Sequence, residues 1–317
     1  MLKSFNVCFV GVGSIAKRHI SNLVEVCNAL DIKLNIDCYR HSASAKASEV
    51  DNYINNNYYD INETAASYDA VFITNPTALH LQTLSAFQQK SDCFFVEKPL
   101  CSQGQYDLFA SEIEKYHDKT IYVACPLRYT NVIEYIKNNV DFSKVNSIRC
   151  ISSSYLPEWR PGVDYRDTYS AHKELGGGVS IDLIHEWDYI YYLLGKPESV
   201  QSIIKKVSDL EINSDDISIY IADYGDKTVE LHLDYFGRST IRNIEIFTEE
   251  ETIVGDLVSS KVSYLKSGKV VELPEKRNDY QQKELLNFLD IVDGKIKSTN
   301  DLQIAIDVLK LTEGALN

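Results

Sequence analysis

Phe5 to Val12 (FNVCFVGV) is a short β-branched and aromatic run that stops at glycine, and a helical stripe of Ile15, Ile20, Leu23, Val24 and Val26 follows at once. The turn between them reads Gly11-Val-Gly13-Ser14-Ile15-Ala16, a G-x-G-x-x-A sequence. The first glycine of such a turn permits a tight bend, and the second lets the backbone come close to a pyrophosphate. The small third residue lets helix and strand pack closely, with the phosphate at the helix N-terminus. Gly11, Gly13, Ser14, Ile15 and Ala16 are therefore candidate dinucleotide contacts. The competing reading is a sharp turn with no ligand.

The alternation continues. Strand-like runs recur at Leu34 to Tyr39, Asp69 to Thr74, Asp92 to Val96 and Thr120 to Ala124, with helices expected at Ala43 to Val50, His80 to Lys90 and Gln105 to Tyr116. Strands alternating with helices predict a parallel sheet of doubly wound Rossmann type over residues 1–121. The Asn- and Tyr-rich stretch Asn52 to Asn62 reads as a solvated loop. After Val145 the pattern becomes a series of strands joined by short turns: Asn146 to Tyr155, Val200 to Val207, Ile217 to Tyr224, Thr228 to Tyr235, Arg242 to Phe247, Thr252 to Leu257 and Val262 to Leu265. They predict an α+β second domain over 122–317 with a mostly antiparallel sheet. Helices at Tyr280 to Val292 and Leu302 to Leu311 close the chain, the last expected to pack back on the first domain.

The end of the second strand selects the dinucleotide. A carboxylate there accepts from a ribose 2′-hydroxyl, whereas arginine and hydroxyl groups accommodate a 2′-phosphate. Asp37 falls two residues early, inside the strand, while Arg40, His41 and Ser42 sit at its end. NADP is the preferred expectation and NAD the alternative.

Composition narrows the partners. Lys plus Arg number 32 against 46 Asp plus Glu, a formal net charge of −14, the wrong sign for nonspecific binding to nucleic acid. Seven scattered cysteines with no Cys-x-x-Cys pair suggest neither a disulfide framework nor a zinc site, and no metal is expected. The N-terminus lacks a signal-peptide pattern and no apolar run is long enough to span a bilayer, so the expectation is a cytoplasmic protein without a membrane partner.

Three further motifs narrow the reading. Thr74-Asn75-Pro76-Thr-Ala-Leu-His80 follows one strand, and Glu97-Lys98-Pro99 follows the next. Gly176-Gly-Gly-Val-Ser-Ile-Asp182-Leu-Ile-His185-Glu-Trp-Asp188 introduces a later helix. In this order, with the glycine turn, they resemble the glucose–fructose oxidoreductase/inositol dehydrogenase (Gfo/Idh/MocA) family over nearly the whole chain. The resemblance implies a Rossmann domain and a second domain on an open, mostly antiparallel sheet whose exposed face makes oligomer contacts. It implies hydride transfer between a nicotinamide and a sugar, sugar nucleotide or polyol. Thr74, Asn75, Pro76, His80, Glu97 and Lys98 would then border the cofactor. Lys98 would lie beside the nicotinamide ribose and the substrate hydroxyl, with a cis Lys98–Pro99 bond.

The chemistry asks for the same residue types. Moving hydride to or from an alcohol carbon requires a proton transfer at oxygen, which a His or Lys can supply when a carboxylate holds it. Asp182 and His185 are three apart on a predicted helix and would share a face. The family's usual spacing is one residue longer, although a subgroup with D-x-x-H-E is similar. The division of labour between Lys98 and His185 therefore stays open, and Asp188 is expected to be structural or orienting.

The segment Tyr155-Leu-Pro-Glu-Trp159-Arg160-Pro-Gly-Val-Asp-Tyr165-Arg166 matches the family's substrate-lining stretch, and Arg128 matches another cleft-facing element. Aromatic rings pack on sugar faces and guanidiniums hold carboxylate or phosphate. The same loop can equally just cover a sheet. An acidic or nucleotide-activated sugar is the expected substrate class. Two alternatives remain: a glycosidase-like enzyme with transient redox, and a dinucleotide-binding sensor without catalysis. The acidity does not argue against an anionic substrate, because residues 198–259 hold 14 acidic and 5 basic side chains while 122–197 hold 9 and 8.

Overall fold

The computed structural model describes residues 3–42, 48–102 and 104–314. Two compact units make up the chain, one of residues 1–126 with 277–306, the other of 127–276 with 307–317. The first unit thus runs past the 1–121 expected from sequence and takes in a late segment that the sequence reading had placed in the second domain.

In the first unit β1 (Ser4–Val10) leads through the glycine turn into α1 (Ser14–Ala29), then β2 (Lys33–Tyr39), β3 (Ile54–Tyr58), β4 (Ala70–Ile73), α2 (His80–Phe87), β5 (Cys93–Val96), α3 (Tyr106–Glu112) and β6 (Thr120–Val123). All strands pair in parallel in the order β3-β2-β1-β4-β5-β6. The order reverses between β1 and β4, and the loops at the C-terminal ends beside that point are where such sheets bind ligands. Phe9, Phe72 and Phe95 stack through the centre, with centroids 4.4 and 5.0 Å apart.

Two expectations are corrected here. β3 lies inside the stretch read as a solvated loop. Its asparagines stitch it to β2: Asn55 Oδ1 accepts from Ile36 N at 2.7 Å, and Asn56 Nδ2 donates to Asp37 Oδ1 at 2.9 Å. A polar edge strand leaves no apolar stripe to read. Of the helix expected over 43–50, residues 43–47 lie outside the described residues, and Glu49–Tyr53 is a short 3₁₀ turn.

The second unit contains α4 (Asn131–Asn139), β7 (Val145–Tyr155), α5 (Val179–Asp182), α6 (His185–Leu194), β8 (Ser199–Lys205), β9 (Ile217–Asp223), β10 (Thr228–Asp234), β11 (Phe236–Thr248), β12 (Thr252–Asp256), β13 (Lys261–Tyr264) and β14 (Val270–Glu272). The sheet order is β14-β13-β12-β11-β7-β10-β9-β8, antiparallel except for β7 with β10. Alternate residues such as Cys150, Tyr220, Leu231 and Ile244 are fully buried on one face, and Trp187 of α6 meets Tyr220 edge-on at 5.2 Å. The other face stays open: Ile203 and Ile221 are 54% and 53% exposed.

The closing helices are α7 (Arg277–Val292) and α8 (Leu302–Thr312). α7 packs within the first unit, where Gln281 accepts from Asn22 of α1 at 3.3 Å and Phe288 meets Phe95 edge-on at 5.2 Å. No helix among the described residues is long and apolar enough to cross a membrane.

Candidate active site

The glycine turn in the first unit has the geometry its spacing predicts. Gly11 sits at φ +83°, and a Cβ there would lie 2.8 Å from Asn75 Cα, so both conformation and space require glycine. Gly13 is the N-cap of α1, where no side chain caps the helix and no acidic residue occupies the first turn. A Cβ on Gly13 would meet nothing within 4 Å. A sixteen-residue helix thus presents its orphan N–H groups beside open space. Ala16, fully buried, provides the close helix–strand packing.

Thr74 closes the turn from β4, its hydroxyl donating to Gly11 O at 2.8 Å. Asn75 donates to Thr83 Oγ1 at 2.7 Å, and its own Oδ1 is buried with no partner in the described structure. An uncapped helix start and a buried orphan acceptor are what a dinucleotide-binding turn needs, so these residues fit the cofactor that the sequence implies. His80 is corrected from a cofactor contact to a staple. It is 1% exposed, and its two ring nitrogens lie 3.0 Å from the carbonyls of Leu100 and Asn75, joining the two loops.

Glu97 and Lys98 follow β5, and the Lys98–Pro99 bond is cis. Glu97 Oε2 accepts from Lys98 N at 3.1 Å, and Oε1 makes a short bond with His19 Nε2. Burial pushes the Glu97 carboxyl up, but that bond and the nearby charges of His19, Lys98 and His80 outweigh it and hold the group below the usual carboxylate range. His19 was missed in the sequence. The available signal was a histidine on the buried stripe of α1, between Ala16 and Leu23, where an apolar residue is expected.

At the end of β2, Arg40 pairs with Asp51 at 3.1 Å and donates to Asn57 Oδ1 at 2.5 Å. His41 and Ser42 follow it, both exposed. Asp37 lies within β2 and is held by Asn56 and Tyr68.

In the second unit the three glycines are a packing device. Gly176 is left-handed at φ +81°. A Cβ on Gly177 would lie 2.1 Å from Tyr169 O, and one on Gly178 (φ +139°) 2.2 Å from Asp215 Oδ1. Asp215 in turn accepts from Ser180 N at 2.9 Å. The helix expected through Asp182 and His185 is broken: α5 ends at Asp182, Leu183 and Ile184 form a turn, and His185 opens α6. The shared-face argument from helical spacing therefore does not carry over. Asp182 is fixed by long-range contacts instead. Tyr235 donates to its Oδ2 at 2.5 Å, and Tyr169 also bonds to it. Burial and the Asp182 charge push both phenols up. Glu186, beside His185 and fully buried, pairs with Arg242 at 2.7 Å.

Tyr235→Phe removes one hydrogen bond to a buried carboxylate and keeps the ring. It is expected to cost about 1.5–3 kcal/mol, read as a lower urea midpoint. An unchanged midpoint would show that Asp182 is satisfied without the Tyr235 hydroxyl.

The substrate candidates divide. Arg128 is corrected: it is 1% exposed and bidentate to Asp188, with Nε–Oδ2 at 2.8 Å and Nη2–Oδ1 at 2.7 Å. No surface remains for a ligand. Arg166 is likewise occupied, by Asp164 at 2.6 Å and Glu211 at 2.8 Å. Its side-chain bond, and its backbone N–H bond, pull the Asp164 carboxyl down to about 2. Tyr165 accepts from Glu211 N at 3.2 Å, and Trp159 donates to Ser154 Oγ at 2.9 Å. Arg160 is different: it is exposed, lies 5.5 Å over the Tyr169 ring, and has no carboxylate partner among the described residues. It lines a small pocket with Leu156, Pro157, Trp159, Tyr165 and Thr168. Tyr155 carries Arg238 over its ring at 3.8 Å, a residue that sequence reasoning did not single out.

Comparison with known proteins decides the family. Residues 5–123 match the model of the oxidoreductase family with an NAD-binding Rossmann fold, and residues 134–254 match the GFO/IDH/MocA C-terminal domain. The chain belongs to the Gfo/Idh/MocA oxidoreductase family. It is 24% identical over 155 residues to an inositol 2-dehydrogenase of Rhizobium meliloti, covering 48% of this chain and 45% of that one. It spans about half the length of the curated relatives it matches. Among solved structures, a levoglucosan dehydrogenase in complex with NADH superposes with a TM-score of 0.82 at 16% identity, over 98% of this chain and 97% of that one. The UDP-N-acetylglucosamine 3-dehydrogenase GnnA of Acidithiobacillus ferrooxidans gives 0.77 at 18%, over 98% and 96%. At these identities the structures establish the fold, which in the Gfo/Idh/MocA family is the Rossmann sheet with a second, mostly antiparallel sheet.

Proposed function

We propose that this chain is a nicotinamide-dependent dehydrogenase or reductase acting at a hydroxyl or carbonyl carbon of a sugar derivative that carries an anionic group. The observation that carries the cofactor reading is the uncapped start of α1 beside an open Gly13. When bound, the nicotinamide would accept or supply the hydride. Gly11, Gly13 and Ser14 would hold its pyrophosphate, with Ile15 and Ala16 setting the helix against the sheet. Thr74, Asn75 and Pro76 would form the neighbouring wall, and Glu97 would fix the loop carrying Lys98. The family resemblance assigns proton transfer to Lys98 and His185, with Asp182 as the carboxylate beside that step.

Arg160 supports the anionic substrate, being the substrate-loop arginine that no carboxylate neutralises among the described residues. Inositol, levoglucosan and UDP-N-acetylglucosamine, the substrates named for the similar proteins, are the natural starting panel, extended with uronic and sialic acids. Absorbance at 340 nm tests the reading. A net change with an anionic sugar supports it. Conversion of a glycoside without net change would favour transient redox, and binding without conversion a sensor.

The open sheet face supports a homo-oligomer, since Ile203, Ile219, Ile221 and Ile241 lie on it with partial or full exposure. Ile221→Glu is expected to shift the protein to monomer in light scattering, and a particle of unchanged mass would place the interface elsewhere. Seven scattered cysteines with no Cys-x-x-Cys pair fit the cytoplasmic setting proposed with it.

A further inference from the structure

In a sheet of this order the adenosine ribose of a dinucleotide lies at the end of β2. The sequence put Arg40 there as the group for a 2′-phosphate. The structure shows it already occupied. Its Nη2 lies 3.1 Å from Asp51 Oδ1, its Nε donates to Asn57 Oδ1 at 2.5 Å, and its side chain is only 12% exposed. Its backbone N–H is also committed, to Tyr58 O at 2.9 Å. Asp51 is no mobile counterion. Its Oδ2 accepts from Ser48 N at 2.7 Å at the start of the 3₁₀ turn Glu49–Tyr53, which fixes the carboxylate against Arg40. The Ser48 bond, with Arg40 adding to it, holds that carboxyl below its usual range against some desolvation.

We propose that Asp51 is the residue that sets dinucleotide preference in this chain, and that by occupying Arg40 it favours NADH over NADPH. The proposal rests on the cofactor reading above. A 2′-phosphate is a dianion near neutral pH, and it could take Arg40 only by displacing Asp51 or by sharing the guanidinium with it. Either way two like charges crowd one partner. A 2′-hydroxyl brings no charge and leaves the Arg40–Asp51 pair intact, and a carboxylate making two bonds retains acceptor capacity for a hydroxyl. Asn57 is neutral and does not alter this balance.

Calorimetric titration of the full chain with NADH and NADPH at one ionic strength tests the proposal without any substrate. The wild type is expected to bind NADH about tenfold or more tighter. Asp51→Asn keeps the shape and the acceptor for Ser48 N while removing the charge. It should tighten NADPH binding about tenfold with NADH unchanged. Asp51→Ser should move the ratio the same way, and adding Arg40→Gln to Asp51→Asn should abolish the gain. Tighter wild-type binding of NADPH, or a ratio that neither Asp51 variant moves, overturns the proposal while leaving the cofactor reading standing. Absence of binding by both dinucleotides overturns the two together.

Discussion

Lys98→Met is expected to lower turnover about 10²–10⁴-fold on the sugar that the 340 nm screen selects, the range for loss of a positioned proton-transfer group. The dinucleotide dissociation constant should stay within about threefold. The separation of the two effects follows from how the loop is built. Glu97 accepts from the main-chain N–H of Lys98, and His19 holds Glu97. Methionine keeps the stem and leaves those bonds in place, so the loop that borders the cofactor keeps its anchors while the ammonium is lost. Steady-state rates with calorimetric NADH binding on the same preparation make the measurement. A rate within tenfold of wild type, with intact binding, would remove Lys98 from proton transfer and leave His185 as the group that remains. Loss of binding and turnover together would instead give Lys98 a cofactor-holding role.

What could be read from the sequence was local. Phe5 to Val10 and Ala70 to Ile73 are buried strands because β-branched and aromatic residues in short runs have few other solutions, and the turn at Gly11 needed a positive φ that its position announced. β3 could not be read, because Asn55 to Asn57 carry no hydrophobic period and are held by side-chain bonds to a strand some twenty residues earlier. The candidate site follows the same division. The glycine and Glu-Lys-Pro motifs announced their place, whereas the partners of Asp182 did not. Tyr235 lies 53 positions away, and nothing in the D-x-x-H-E stretch points to it. The arginines show the limit most plainly. Arg128 looked like an anion ligand because its carboxylate, Asp188, is 60 residues distant. Arg166 is held by Glu211, 45 residues away, and also by Asp164 only two residues before it, a partner that was in plain view. In a chain of net charge −14 an arginine meets a carboxylate of its own fold more readily than in a neutral one, so a guanidinium near a motif is weak evidence for a ligand.

Arg128→Met carries the largest stability effect expected in the second unit. The guanidinium lies in the turn before α4, 1% exposed, and makes a bidentate pair with an Asp188 side chain that is 8% exposed. It also lies 5.0 Å from the Tyr192 ring, so methionine recovers part of the packing while the charge disappears. A buried carboxylate without its partner costs about 3–5 kcal/mol, several times what an exposed ion pair contributes. The pH dependence identifies the cause. Burial already pushes the Asp188 carboxyl up, with Arg128 opposing it, so removing Arg128 raises it further. An acid whose pKa is higher in the folded than in the unfolded state takes up a proton on folding, and its stability contribution is retained at low pH and lost as pH rises through the folded value. The deficit of the variant relative to wild type should therefore be larger near pH 8 than near pH 5. Its slope is bounded by about 1.4 kcal/mol per pH unit for one proton. Urea unfolding at the two pH values measures it. Asp188→Asn added to Arg128→Met should recover most of the loss and flatten the pH dependence. A single variant that loses under about 1 kcal/mol at both pH values would mean that water reaches Asp188 and that the pair is no stronger than an exposed one.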